Sequence, residues 1–200
     1  MTEAAGTEAY VVTQKKEWLE IFSGFETANK YAVSDAAGNE VFYAAEVGTS
    51  WLARNFLKAL RPWTIELLDA DGAKVLDIAR PFRFYFHKAD VFDADGTMIG
   101  SIERRWSWLR RIYSVCDSQG GEVFRLFGPI LHPWTFQLHR KGVEIGKIAK
   151  KWSGLATEAF TKADNFGVQF PSNLQKPLKS LVLAAVFLID FVHFEKDNSR

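Results

Sequence analysis

Four arginines lie within eight residues in the second half of the chain and bracket a short aromatic segment. They are Arg104, Arg105, Arg110 and Arg111, with Trp106–Leu109 between them. A guanidinium group binds phosphate through parallel hydrogen bonds, and tryptophan favours the headgroup depth of a membrane. The spacing therefore favours an anionic phospholipid surface as partner. A solvated strand face is the alternative, and nucleic acid ranks lower because no nucleic-acid motif occurs and the pI is only about 7.8.

A second candidate surface lies between positions 47 and 61. It combines large apolar side chains with cations: Trp51, Leu52, Phe56, Arg54, Lys58 and Arg61. Rings at headgroup depth and cations at lipid phosphates would hold such a segment on a membrane. The alternative is that the rings pack as a small satellite core at one end of the domain.

Motifs for covalent catalysis are missing from the sequence. There is no Gly-x-Ser-x-Gly elbow, no P-loop and no His-Glu-x-x-His zinc helix. A single cysteine, Cys116, excludes an internal disulfide and a cysteine-rich zinc site. Cys116 falls in a predicted strand, where cysteine is more often a small core residue than a nucleophile. We predict that the protein is not an enzyme.

Length and composition indicate a globular domain that can bury a large core. The chain has 200 residues, of which 48% are hydrophobic and 14% aromatic, and this excludes bulk disorder and fibrous repeats. The net charge of +1 hides an acidic first half and a basic second half. Residues 1–9 are polar and lack a signal segment, so we predict a disordered N-terminal arm there and a single domain over residues 10–200.

The elements that position these residues are mostly short strands. After a predicted amphipathic helix at Gln14–Phe22, the segment 30–152 alternates apolar runs with turn signals. The turns fall at Gly38, Asp71–Gly72, Asp95–Gly96, Gly120–Gly121 and Gly142. Five hairpins in series give at least ten antiparallel strands, and a sheet of that size tends to close because closure removes its edges.

The C-terminal segment is apolar on every side. Leu181–Ile189 is an unbroken apolar run, and a helix over Leu178–Phe194 would span only ~25 Å, less than the ~30 Å core of a bilayer. Lys179 and Asp190 are costly in lipid. We therefore predict that this helix fills the barrel and that Asp190 is a polar anchor with a buried partner, such as an arginine or a backbone donor. A membrane-anchoring helix is the alternative.

Several segments together resemble the phospholipid scramblase family of the tubby-like superfamily. They are GFETANKYAV, NEVFYAAE, the two Arg-Pro pairs, IGKIAKKWSG, EAFTKADNFGVQFP and FLIDF. The resemblance covers about residues 12–195. It implies a barrel of twelve strands around the C-terminal helix, and an association with calcium-dependent movement of phospholipids between bilayer leaflets.

The resemblance also aligns Lys162–Asn173 with the calcium segment of that family. An EF-hand loop needs acidic ligands at its first, third, fifth and twelfth positions. Here Asp164, at the third position, is the only carboxylate, and Lys162 puts a cation at the first. We predict that metal binding is absent or weak and that Asp164, Asn165 and Gly167 form a turn. The acidic pairs of Asp69–Gly72 and Asp93–Gly96 are read as hairpin turns.

The combined prediction is a mainly β (α+β) protein, a closed antiparallel tubby-like barrel of about twelve strands with a central apolar C-terminal helix. We expect a phospholipid-binding protein of the scramblase type, extended to transbilayer lipid movement, with weak or lost calcium dependence and no cofactor. We expect it in the cytoplasm, peripheral to the inner face of the plasma membrane. The alternative is a soluble scaffold that binds a protein partner or a small apolar ligand.

Overall fold

The described part of the chain forms twelve strands and one helix. The computed structural model describes residues 6–15, 29–48, 62–82, 87–132, 134–150 and 165–193. The elements are β1 (Thr7–Lys15), β2 (Lys30–Ser34), β3 (Glu40–Val47), β4 (Trp63–Asp69), β5 (Lys74–Arg80), β6 (Lys88–Asp93), β7 (Met98–Arg105), β8 (Arg111–Asp117), β9 (Glu122–Gly128), β10 (Thr135–Arg140), β11 (Val143–Lys150), β12 (Asn165–Pro171) and α1 (Lys176–His193).

The strands close into one antiparallel barrel. Each strand pairs with its neighbours in sequence, and β1 pairs with β12 through registers such as Val11↔Gly167 and Val12↔Phe166. Closure leaves none of these twelve described strands with an edge that could pair with another chain. The prediction of a closed antiparallel barrel of about twelve strands is confirmed.

The two ends of the barrel differ in how they connect the strands. Tight hairpins join β2–β3, β4–β5, β6–β7, β8–β9 and β10–β11, and we call this the turn end. The opposite end carries the longer connections, among them β5–β6, β7–β8 and β9–β10, and we call it the connection end. Helix α1 begins at the turn end and ends at the connection end, because it follows β12, which runs from the connection end to the turn end.

Four of the hairpins repeat one turn chemistry. Each begins with an aspartate whose Oδ1 accepts backbone N–H bonds from the residues two and four positions later: Asp35, Asp69, Asp93 and Asp117. The glycine three positions later takes a positive φ, for example 83° at Gly72, which favours glycine. All five predicted hairpins are confirmed.

Helix α1 lies inside the barrel. Every side chain from Leu181 to Ile189 is at most 5% exposed, and inward residues of the strands surround them. A Cβ added at Gly100 would lie 2.9 Å from a methyl group of Leu181, which shows how closely α1 packs against β7. The prediction that the barrel buries this segment is confirmed. In the described part of the chain no helix has the length and hydropathy needed to cross a bilayer.

Two predictions at the N-terminus need correction. The arm was expected to reach residue 9, but β1 begins at Thr7 because Glu8 and Tyr10 pair with β12 and contribute to closing the barrel. The helix expected at Gln14–Phe22 is wrong at its start, since Gln14 belongs to β1, where it pairs with Tyr31. Positions 16–22 lie outside the described residues.

Candidate functional site

Exposed apolar side chains collect at the connection end of the barrel. They lie on the β5–β6, β7–β8 and β9–β10 connections, and we call them the apolar rim: Phe82, Trp106, Trp108, Leu109, Ile130, Leu131 and Trp134. Trp106 is 75% exposed, Trp108 84% and Leu131 87%. Exposed large apolar side chains concentrated at one end of a domain are typical of a site of interaction with a partner or a membrane.

The turn end has a different surface. Among the described residues, Val143 is the one further large apolar side chain that is exposed, and it sits at the start of β11. The hairpin turns are otherwise built from aspartate, glycine and other small or polar residues. The apolar rim therefore distinguishes one end of the barrel from the other.

Arg111 joins two of the connections that carry the rim. Its Nη2 donates to the carbonyl oxygens of Pro129 and His132, both at 3.4 Å, and its guanidinium lies 4.7 Å from the ring centre of Phe136. Burial lowers the pKa of Arg111 without discharging it at neutral pH. Arg111 thus positions the β9–β10 connection beside the β7–β8 connection.

Arg105 and Arg110 lie on the outside of the barrel next to the rim. Arg105 donates through Nε to Ser114 Oγ at 2.9 Å, and 54% of its side chain remains exposed. Arg110 is exposed, with its guanidinium 5.0 Å from the ring centre of Phe127. These two cations can meet an anionic surface that also contacts the rim.

Arg104 faces the barrel interior. It occupies the same face of β7 as Gly100 and Ile102, and its charge acts on Tyr113 and His193 inside the barrel. The structure therefore separates the four arginines into two that point outward, Arg105 and Arg110, and two inside the connection end, Arg104 and Arg111. We call this inward-facing region the inner mouth. Sequence spacing alone treated them as one cluster.

Polar pairs surround the C-terminal end of α1 inside the connection end. The Tyr31 hydroxyl donates to Asp190 Oδ2 at 2.8 Å, and Tyr113 and His193 share a hydrogen bond of 2.8 Å. Arg80 is 2% exposed, and its guanidinium lies 4.7 Å from the ring centre of Phe191. Its Nη2 donates to Nδ1 of His87 at 2.6 Å.

The predicted polar anchor, Asp190, has a partner of an unexpected kind. We expected an arginine or a backbone donor, and the structure provides the phenol of Tyr31 from the barrel wall. Asp190 is half-buried, one residue before Phe191, near the end of α1. This hydrogen bond ties the last turn of the helix to β2 and so fixes the helix within the barrel.

His193 is held uncharged at the inner mouth. Burial, together with the charges of Arg104 and Arg111, lowers the pKa of His193 to about 3. The neutral ring can share a hydrogen bond with Tyr113, whose own pKa is raised by burial. No proton transfer at neutral pH is expected from this pair.

The segment aligned with a calcium loop is largely a strand. Asn165 to Pro171 form β12, which pairs with β1 and β11, and Phe166 is 3% exposed in the core. The prediction that Asn165 and Gly167 form a turn is wrong. Both residues belong to the strand β12, in which alternate side chains, among them Phe166 and Val168, point into the barrel. Asp164 lies outside the described residues. Among the residues that the structure describes, no three histidine, cysteine, aspartate or glutamate side chains are arranged to hold a metal ion.

The residues of the second surface predicted from the sequence, between positions 47 and 61, fall outside the part of the chain that the structure describes. They are Trp51, Leu52, Arg54, Phe56, Lys58 and Arg61. Cys116 is buried in β8, as expected of a core cysteine, and burial raises the pKa of its thiol.

Sequence reasoning missed the part of the rim that follows β9. Ile130 and Leu131 are exposed on the β9–β10 connection, between Pro129 and Pro133 in the sequence. Two aliphatic residues between prolines in a loop are the signal that was available. Prolines make a regular strand or helix improbable there, so the apolar side chains had no element in which to be buried.

Comparison with known proteins matches nearly the whole sequence to one protein family. The family model described as Scramblase matches residues 4–196. Phospholipid scramblase 1 from Mus musculus is 34% identical over 98% of this chain, and phospholipid scramblase 2 from Bos taurus is 34% identical over 92%. The chain spans 64% of the mouse relative and 68% of the bovine one, so each relative has further sequence.

A solved structure supports the same fold. A protein from Arabidopsis thaliana, known from its X-ray structure, aligns with a TM-score of 0.55 over 94% of this chain and 93% of its own. The two sequences are 13% identical, so the likeness concerns the fold alone. It agrees with the predicted tubby-like architecture, a barrel of strands around one helix.

Proposed function

This chain belongs to the scramblase family, and from that premise we propose that it binds phospholipid membrane surfaces with the connection end of its barrel. The observation that carries the proposal is the apolar rim, with Trp106 and Trp108 exposed beside Arg105 and Arg110. Tryptophan is favoured at headgroup depth, and arginine binds phosphate. Both groups occur together at one end of the molecule.

The arginines and the apolar rings contribute separately to the free energy of membrane binding. Each cation near an anionic surface contributes about 1 kcal/mol, and this contribution weakens as salt shortens the screening length. Apolar side chains that enter the interface contribute in proportion to the area they remove from water, which depends little on salt. Binding through the rim therefore has a salt-sensitive part from the arginines and a salt-resistant part from the rings.

We further propose that the protein promotes movement of phospholipids between the two bilayer leaflets without covalent chemistry. The barrel interior is filled by α1, which presents apolar side chains from Leu181 to Ile189. A lipid headgroup needs a polar path, so any such movement runs along the outer surface of the protein or through an assembly of several copies. We place the protein at the inner face of the plasma membrane, where anionic lipids are concentrated.

Vesicle flotation tests the proposal. Wild-type protein is mixed with phosphatidylcholine vesicles with and without phosphatidylserine, at low and at high salt. Trp108→Ser combined with Leu131→Ser is expected to lower binding at least tenfold at both salt levels. Val143→Ser is the matched control, since Val143 is 65% exposed at the turn end, and it should bind as wild type.

Two outcomes would count against the proposal. If the folded double variant floats as well as wild type, the rim is not the binding surface. If wild-type protein binds neither kind of vesicle, the rim is better explained as an interface for a protein partner, which is the scaffold alternative.

A further inference from the structure

A cavity opens at the turn end, on the opposite side of the molecule from the apolar rim. It has a volume of about 260 Å³ and lies between the first turns of α1 and the barrel wall formed by β1, β3, β4 and β5. The cavity is partly open to solvent, and Leu67, Leu76 and Leu183, each at most 5% exposed, form its floor.

The deep wall of this cavity is apolar. Besides those leucines it includes Phe42 and Val75, which pack against the core, and Leu174, just before α1. An engineered apolar cavity of about 150 Å³ stays dry and accepts benzene. The present cavity exceeds that size and opens to solvent, so a short hydrocarbon chain has room to displace water from its apolar wall.

The mouth of the cavity is polar and carries more positive than negative charge. Lys179 forms an ion pair with Glu8, and the Tyr10 hydroxyl donates to Glu8 at 2.6 Å. Lys176 also lines the mouth and is exposed, and it has no ion pair with any residue that the structure describes. The carboxylate of Glu8 is thus occupied, whereas the ammonium of Lys176 can bind an anion.

We propose that this cavity binds a single-chain anionic amphiphile such as a medium-chain carboxylate. Its hydrocarbon chain lies between Leu183 and the barrel wall, and its carboxylate meets Lys176 at the mouth. The volume lies below the ~300–1,000 Å³ of pockets for drug-sized ligands, so a phospholipid with two long chains does not fit. The site therefore differs from the proposed membrane surface in ligand and in position, and does not depend on it.

Titration calorimetry with hexanoate, octanoate and decanoate, below their micelle concentrations, tests the proposal. Each added methylene group should tighten binding about fourfold, the equivalent of ~0.8 kcal/mol per buried CH₂, until the cavity is full. Longer chains should then gain little. Octylamine, which has the same chain length and the opposite charge, should bind at least tenfold more weakly than octanoate.

Two kinds of variant locate the site. Ser180→Phe and Val75→Phe each place a ring in the cavity and should abolish octanoate binding, with folding checked by circular dichroism. Lys176→Glu changes an exposed side chain and should weaken octanoate binding about tenfold with the fold intact. Lys147→Glu, elsewhere on the barrel, is the control and should bind as wild type.

The proposal is overturned if none of the three carboxylates binds, or if affinity does not rise with chain length. It is equally overturned if Lys176→Glu and the folded cavity-filling variants all bind octanoate as wild type does. Because the readout uses soluble carboxylates without vesicles, failure of membrane binding at the rim would not affect it.

Discussion

The hydroxyl of Tyr31 donates a 2.8 Å hydrogen bond to Asp190 and so joins residues that are 159 positions apart in the chain. Tyr31 also packs edge-on against Phe187, with ring centres 5.2 Å apart. One side chain of β2 therefore holds the last two turns of α1, by a polar contact and by an aromatic one. This pairing is what fixes the helix along the barrel axis.

Removing the Tyr31 hydroxyl should weaken this attachment. Tyr31→Phe keeps the ring contact but takes a donor from a half-buried carboxylate, so we expect a loss of about 1–3 kcal/mol in unfolding free energy by urea titration. Tyr43→Phe, on the outward face of β3, is the control and should cost less than about 0.5 kcal/mol. Equal effects of the two changes would mean that the Tyr31–Asp190 bond does not stabilise the fold.

Adding one methyl group at Gly100 should disrupt the contact between helix and barrel. The new Cβ would lie 2.2 Å from the carbonyl oxygen of Cys116 and 2.9 Å from Leu181, so strand or helix must move. We expect Gly100→Ala to lower the unfolding free energy by about 3 kcal/mol or more. Gly6→Ala, whose Cβ would have 3.4 Å to Ser172 Oγ, should be nearly neutral in the same urea titration.

Acidification should destabilise the protein through His193. Its pKa is about 3 in the folded protein against an ordinary 6.5, so the unfolded chain takes up a proton that the folded one excludes. The contribution of His193 to stability is therefore fully present above pH 6.5 and is lost toward pH 3, by up to about 1.4 kcal/mol per pH unit. The difference in unfolding free energy between wild type and His193→Gln isolates this effect from other titrating groups. A difference that is constant with pH would contradict it.

Calcium should have little effect on stability. Seven residues of the segment aligned with a calcium loop form β12, and their backbone groups pair with β1 and β11. A ligand that binds the folded state raises its stability by an amount that grows with concentration over Kd. We expect the melting temperature to be the same in millimolar calcium and in EGTA. A clear rise with calcium, absent in Asp164→Asn, would show that the segment binds the ion.

The sequence predicted the hairpins well because their turns are local. An aspartate that bonds its own turn, followed three positions later by glycine, needs no information from the rest of the fold. The apolar helix was predictable for a different reason, since nine apolar residues in a row must be buried in something. Both signals lie within about twenty residues of chain.

The strands that close the barrel were harder to find. In β1 the run Tyr10–Val12 interrupts the alternation of apolar and polar residues, and in β12 Asn165 and Gly167 resemble a turn. Each strand is defined by its pairing with the other, between the two ends of the chain. Periodicity in a single segment does not contain that relationship.

The sequence grouped four arginines by their spacing, and the folded barrel divides them. Arg105 and Arg110 lie outside the barrel, while Arg104 and Arg111 lie at its inner mouth, a division that depends on the register of β7 with β8. Composition drew attention to these cations and rings, and their role in lipid binding stays a prediction. Which of them face solvent followed only from the closed sheet.

Because α1 is the last element of the barrel domain, a ribosome releases the lining of the barrel before it releases the segment that fills it. Until Leu181–Ile189 leaves the exit tunnel, the nascent strands have no partner for their inward side chains. Folding of the barrel domain therefore cannot finish until α1 has emerged, and chaperone demand should be highest while the strands are exposed without it.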